Sequence, residues 1–147
     1  RRDCSIGGRE PRAPRGMIGL DTNVLVRYRT QDDPDQAARA TRVVEQELTE
    51  DTPGFIGLVV LVETAWVLQR LYRASAEEIR ETVTDLLGSR AIVVENRDVV
   101  TRALALSRQT SCGFADAIIA ASAFNAGCDK VISFDRGAVH AGMTLVE

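Results

Sequence analysis

Apolar and polar positions along the chain switch between two periods, and the switching predicts alternating strands and helices. "MIGL" at 17–20 is a short apolar strand, with Ile18 to Leu20 at its centre, and a helix runs on to about Arg29. "DDPDQAARATRVVEQELTE" starts a second helix at Pro34, because proline suits a first helical turn. "GFIGL" at 54–58 predicts another strand, and residues 59–73 a strongly apolar helix. In "SAEEIRETVTDLLG", Ser75 stands as the cap, Glu78 at the capping-box position and Gly88 as the stop. "AIVVE" is a third strand, followed by helices over 96 to about 110 and 114–126, the second closed by Gly127. "KVISF" is a fourth strand and "TLV" a short fifth. Strands separated by helices predict an α/β fold: a central, mostly parallel sheet of four to five strands with helices on both faces.

Composition adds boundaries to this outline. The chain has 147 residues, 45% of them hydrophobic, enough for one domain with a real core. Residues 1–16, "RRDCSIGGREPRAPRG", carry five Arg, two acids and no periodicity. They are expected to be a disordered arm or a non-native extension, with Met17 as the natural start and 17–147 as the domain. No apolar run approaches the ~20 residues of a membrane span. Cys4, Cys112 and Cys128 show no metal-ligand spacing, which fits reduced thiols and a cytoplasmic location. The arm carries +3 and the domain −6, so a nucleic-acid partner would need something, such as a cation, to offset the domain's charge.

The acids fall in a pattern. Ligands of parallel sheets bind beyond the carboxyl ends of the strands. Asp21 follows strand one and Asp135 follows strand four. Glu63 lies about one turn into the helix after strand two, and Asp116 near the start of the helix that runs back to strand four. All four are expected at one edge. Each has a structural alternative: Asp21 and Asp135 as helix caps or turn residues, Asp116 as a dipole partner in a first turn. Glu63 fits such an alternative least well, since Val59, Val62, Trp66 and Val67 surround it on the helix. An acid on a buried apolar face needs a partner. Two carboxylates ~4 Å apart repel by about 4 kcal/mol at an effective dielectric of ~20, so four together require protons or a cation. Oxygen ligands select Mg²⁺ or Mn²⁺, and the lack of accompanying His or Cys disfavours zinc. His140 is the only histidine, and no nucleophile motif such as G-x-S-x-G is present.

"MIGLDTNVLVRY", "GFIGLVVLVETAWVL" and "GFADAIIAASAFNAGCDKVISFD" together resemble the PIN-domain nucleases, and among them the VapC-type toxins of type II toxin–antitoxin systems. The likeness runs in order from about Met17 to Glu147. It implies a PIN-like fold and a Mg²⁺-dependent endoribonuclease with Asp21, Glu63, Asp116 and Asp135 as catalytic and metal-holding acids. Asn23 matches the polar position of the opening motif and Ser133 the small hydroxyl before the last acid, both in a supporting shell. Gly113 and Gly137 stand where many members carry further acids. Arg136, beside Asp135, is a candidate phosphate contact with a solvated surface Arg as its alternative. The resemblance also implies an RNA substrate, a homodimer, and a small antitoxin whose C-terminal segment covers the groove. Exposed parts of "NVLVRY" and the Trp66 helix could offer that groove an apolar side.

Two other classes compete. A phospho-receiver domain needs an Asp ending strand three and a Lys after a late strand, whereas Glu95 ends strand three here and the only Lys, Lys130, precedes strand four. A catalytically silent PIN-like scaffold would bind partners without needing its four acids.

Overall fold

The computed structural model describes residues 16–147, so the expectations for residues 1–15 lie outside the described part. The elements in order are β1 (Ile18–Gly19), α1 (Thr22–Thr30), α2 (Pro34–Arg42), β2 (Gly54–Ile56), α3 (Leu58–Leu71), α4 (Ala76–Gly88), β3 (Ile92–Val94), α5 (Arg97–Thr110), α6 (Phe114–Asn125), β4 (Ile132–Ser133) and β5 (Thr144–Leu145). A π-helical turn at Val43–Glu47 continues α2, and a 3₁₀ helix spans Arg136–Ala141. The protein is an α/β fold with parallel strand pairing throughout.

Local chemistry accounts for the boundaries. Asp33 caps α2 by accepting the Gln36 N–H at 3.0 Å, and Pro34 fills the next position, where no N–H is needed. Ser75 caps α4 by accepting the Glu78 N–H at 3.1 Å, while the Glu78 carboxylate returns to the Ser75 hydroxyl at 3.3 Å. Gly127 follows α6 with φ +99°, the left-handed geometry that glycine supplies without strain.

The strands are shorter than the apolar runs suggested, and they form two sheets. β1, β2 and β3 pair in that order, with Ile18 opposite Gly54 and Gly54 opposite Ile92. β4 and β5 form a separate pair, Ile132 opposite Thr144. A two-residue strand such as β1 or β4 offers few ladder hydrogen bonds, so β1 joins β2 alone. Gly54 holds the centre of the larger sheet by bulk: a Cβ there would stand 2.7 Å from Leu48 and 2.9 Å from Leu20 side-chain carbons. The core runs from Leu20, Ile56 and Val94 on the strands to Leu61, Val100, Ala103, Ala117 and Ala120 on the helices. Alanines on α6 let it approach α5 and α3 closely. The carboxyl ends of β1, β2 and β3 thereby open on one side of the domain, where α1, α3 and α5 begin.

Candidate metal centre

Asp21, after Leu20, is the last residue between β1 and α1. Its extended backbone (φ −87°, ψ 161°) puts it at the N-cap of α1, yet its side chain makes no capping hydrogen bond. The carboxylate is exposed, and among the described residues it has no ion-pair partner. The cap alternative therefore has the right backbone position but lacks the bond that would make it stabilising. Asn23, one turn position further, is exposed on the same stretch.

Asp135 behaves differently. Its Oδ1 accepts the Gly137 N–H at 2.8 Å, so it does cap the following 3₁₀ helix. Ser133 Oγ accepts the Asp135 N–H at 3.0 Å. The residue is thus fixed from both sides. A Cβ at Gly137 would sit 3.3 Å from Asp135 Oδ1, tight enough to push the carboxylate aside. Arg136 is exposed beside it.

Asp116 lies in the first turn of α6, half-buried. Burial pushes its carboxyl above the ordinary range, and the charge of Asp135 pushes in the same direction. These two acids, 19 residues apart in sequence, therefore share an electrostatic environment that no Arg or Lys neutralises among the described residues.

Glu63 is exposed. The apolar neighbours that seemed to bury it are largely open: they line a groove of about 720 Å³ between α3 and α6. Leu58, Val62 and Trp66 form one wall and Ile118 and Ile119 the other. The expected penalty for a buried, unpaired Glu therefore does not arise. Glu63 instead sits at the side of an unfilled apolar surface. Ile119, one helical turn on from Asp116, lines the same groove.

A fifth acid, Glu95, ends β3 at the same side of the sheet and is half-buried. Its Oε1 lies 3.5 Å from the Leu58 N–H, a weak cap on α3. Its signal in the sequence is the same as that of Asp21: a carboxylate directly after an apolar strand. His140, by contrast, is exposed in the last turn of the 3₁₀ helix.

The donor set consists of carboxylates without Cys or His, which suits a hard divalent cation such as Mg²⁺ or Mn²⁺. Among the described residues no three Asp, Glu, His or Cys side chains stand close enough together to hold a metal ion. The charge of Asp135 reaches Asp116. Like charges stay apart unless something of opposite sign lies between them. No described helix is long and apolar enough to cross a membrane. Compared with known families, the chain matches the PIN domain over residues 18–142. No curated protein matches it.

Proposed function

Since the chain belongs to the PIN domain family, a family of metal-dependent nucleases in general, we propose that it is a cytoplasmic Mg²⁺-dependent endoribonuclease and the VapC-type toxin of a toxin–antitoxin pair. One observation carries the proposal. Asp116 is half-buried and pushed toward protonation by its surroundings and by Asp135, yet no cation of the described chain answers either acid. A carboxylate partly drawn out of water beside a second carboxylate is disfavoured unless something positive answers it. The donor chemistry fits a divalent ion in the place of the missing partner.

In this proposal Asp21, Glu63 and Asp116 would hold the principal ion, and Asp135 a second ion or the attacking water. The bound cation would supply a lowered water pKa, polarisation of the phosphate and neutralisation of developing charge. The chain's own contributions are positional. Ser133 and the Gly137 N–H hold Asp135 in one orientation. Asn23 would orient Asp21 or its ligand from the adjoining turn, and Arg136 would take a substrate phosphate oxygen. The substrate is RNA, and the natural inhibitor is a small antitoxin that covers the acidic edge. The only histidine, His140, is exposed in the last turn of the 3₁₀ helix, at the end opposite Asp135, which disfavours it as a base for attack by a 2′-hydroxyl. Products should therefore carry 5′-phosphate and 3′-hydroxyl ends.

The test is cleavage of defined RNAs with EDTA and with increasing Mg²⁺ or Mn²⁺, followed by end-mapping. Metal-dependent cuts with 5′-phosphate ends are expected. Cyclic-phosphate ends, or cleavage indifferent to EDTA, would overturn the mechanism, and complete inactivity across RNAs would favour the silent scaffold.

A further inference from the structure

Phe134 is the most exposed large hydrophobic side chain of the described residues, at 84%. Phe114 is buried in the core, Phe55 is half-buried and Phe124 is less than half open. An isolated exposed apolar residue is ordinary on a protein surface. Phe134 differs in where it stands and how it is held. It lies between Ser133 and Asp135, and Arg136 follows. The Val146 N–H donates to the Ser133 carbonyl at 2.9 Å, and the Asp135 N–H to Ser133 Oγ at 3.0 Å. The Ala138 N–H donates to the Asp135 carbonyl at 3.1 Å. The backbone on both sides of the ring is therefore fixed, and binding there would cost little further ordering of the chain.

Asp135 has an extended backbone, with φ −79° and ψ 118°. Alternate residues of an extended stretch share a side, so Phe134 and Arg136 fall on one side and Asp135 on the other. The Cα atoms of Phe134 and Arg136 are at most about 7 Å apart. An open aromatic ring beside an exposed guanidinium suits a nucleotide: bases stack on aromatic faces, and phosphate oxygens take Arg. Residues 17–147 carry −6, so phosphate contacts alone meet a repulsive background. Stacking carries no net charge and does not meet that repulsion. We propose that Phe134 is the stacking platform for an unpaired nucleobase of the nucleotide next to the scissile phosphate, with Arg136 on the phosphate of that nucleotide. The contact rests on the nuclease function proposed above. It makes the substrate single-stranded at that nucleotide, because in a duplex both faces of a base are covered by its neighbours.

The experiment uses the full chain in Mg²⁺ and an RNA whose cut has been located by end-mapping. kcat/KM is measured for wild type, Phe134→Tyr, Phe134→Leu and Phe134→Ala. Each is tested on that RNA and on copies with an abasic ribose on one or the other side of the cut. On the intact RNA, Phe134→Ala and Phe134→Leu should each lose roughly 5- to 100-fold, while Phe134→Tyr should stay within about twofold of wild type. At one of the abasic positions wild type should lose a similar factor, and Phe134→Ala should lose nothing more. A residue that only supported the fold would lose equally on intact and abasic RNA. Melting temperatures should not change, since so exposed a ring packs on little. Phe134→Ala as active as wild type, or equally impaired on every RNA, would overturn the stacking contact and leave the nuclease standing. A wild type that cleaves no RNA would overturn both.

Discussion

Asp32 and Asp116 show two ways in which this fold treats a carboxylate. At Asp32 both oxygens are answered. Oδ1 accepts from Arg27 at 3.0 Å and from the Thr30 hydroxyl at 2.8 Å. Oδ2 accepts from the Tyr72 hydroxyl at 2.7 Å and from Arg27 at 3.1 Å. The cluster ties the end of α1 to the end of α3. The Tyr72 hydroxyl above all, then Thr30 and Arg27, holds the Asp32 carboxyl well below the ordinary range. At Asp116 there is burial and a second negative charge, and the carboxyl is pushed the opposite way. Asp32 is neutralised by the chain itself, whereas the charge of Asp116 is left unanswered by the described chain, as the proposed metal site requires.

The largest effect expected from breaking this contrast is on activity. Asp116→Asn or Asp21→Asn should lower RNA cleavage by more than ~100-fold, beyond the 10–100-fold typical of residues that only support a metal ligand. The same variants should lose the stabilisation that Mg²⁺ gives wild type. That stabilisation is about 2.7 kcal/mol at a hundredfold excess over Kd, read as a shift in urea or thermal unfolding. A variant that keeps both cleavage and the Mg²⁺ shift would remove its residue from the site.

On the paired side, Tyr72→Phe removes the hydroxyl from Asp32 and should destabilise the domain by about 1 kcal/mol. Cleavage per folded molecule should stay the same. Reduced cleavage with unchanged stability would mean that the two regions are not separate.

The pH dependence should run in opposite directions. Asp32, with its lowered pKa, contributes stability that is present above the ordinary carboxylate range and lost as pH falls through its native value. Asp116, with its raised pKa, favours the fold only while protonated, and that contribution is lost as pH rises through its native value. Metal-free Asp116→Asn should therefore equal or exceed wild type at neutral pH. The gain should be at most about 1 kcal/mol, because solvent screens a half-open carboxylate, and should vanish in acid. Urea unfolding in EDTA at two pH values decides this, and a loss of stability at neutral pH would make Asp116 a structural residue.

The smallest effect should come from residues 1–16, whose sequence has no apolar face to pack. A protein starting at Met17 should melt at the same temperature and keep its metal-dependent cleavage. A lower melting temperature would show that the segment packs on the domain.

These regions were not equally legible in the sequence. Ser75 with Glu78, Pro34 after Asp33, and Gly127 announce their helix ends because the chemistry of a cap is local. Asp21 and Asp135 could be placed beyond their strands for a similar reason, since an apolar run stops at each. The π-turn at 43–47 and the 3₁₀ helix at 136–141 leave no such mark. Both continue patterns that suit an ordinary helix or turn, and only packing selects the tighter or wider winding. The division into two sheets depends on long-range pairing that periodicity does not encode. Glu63 shows the deeper limit. Val59 and Trp66 look like core on a helical wheel, and nothing along α3 tells whether the surface they form is covered by this chain or left open. The Asp32 cluster was missed because it joins residues 27, 32 and 72, whose neighbours suggest only solvated charge.

The proposed site draws on residues 21, 63, 116 and 135, nearly the whole length of the domain. Chains are made from the amino end, and domains form as they emerge. Asp135 comes last of the four, and the turn that fixes it is completed later still. A nascent chain on the ribosome, or one ended early by a damaged message, would lack the full set of acids. In the proposed nuclease, activity would begin only once Asp135 and the turn after it have been made and folded, so a shorter nascent chain would spare the message from which it is being read.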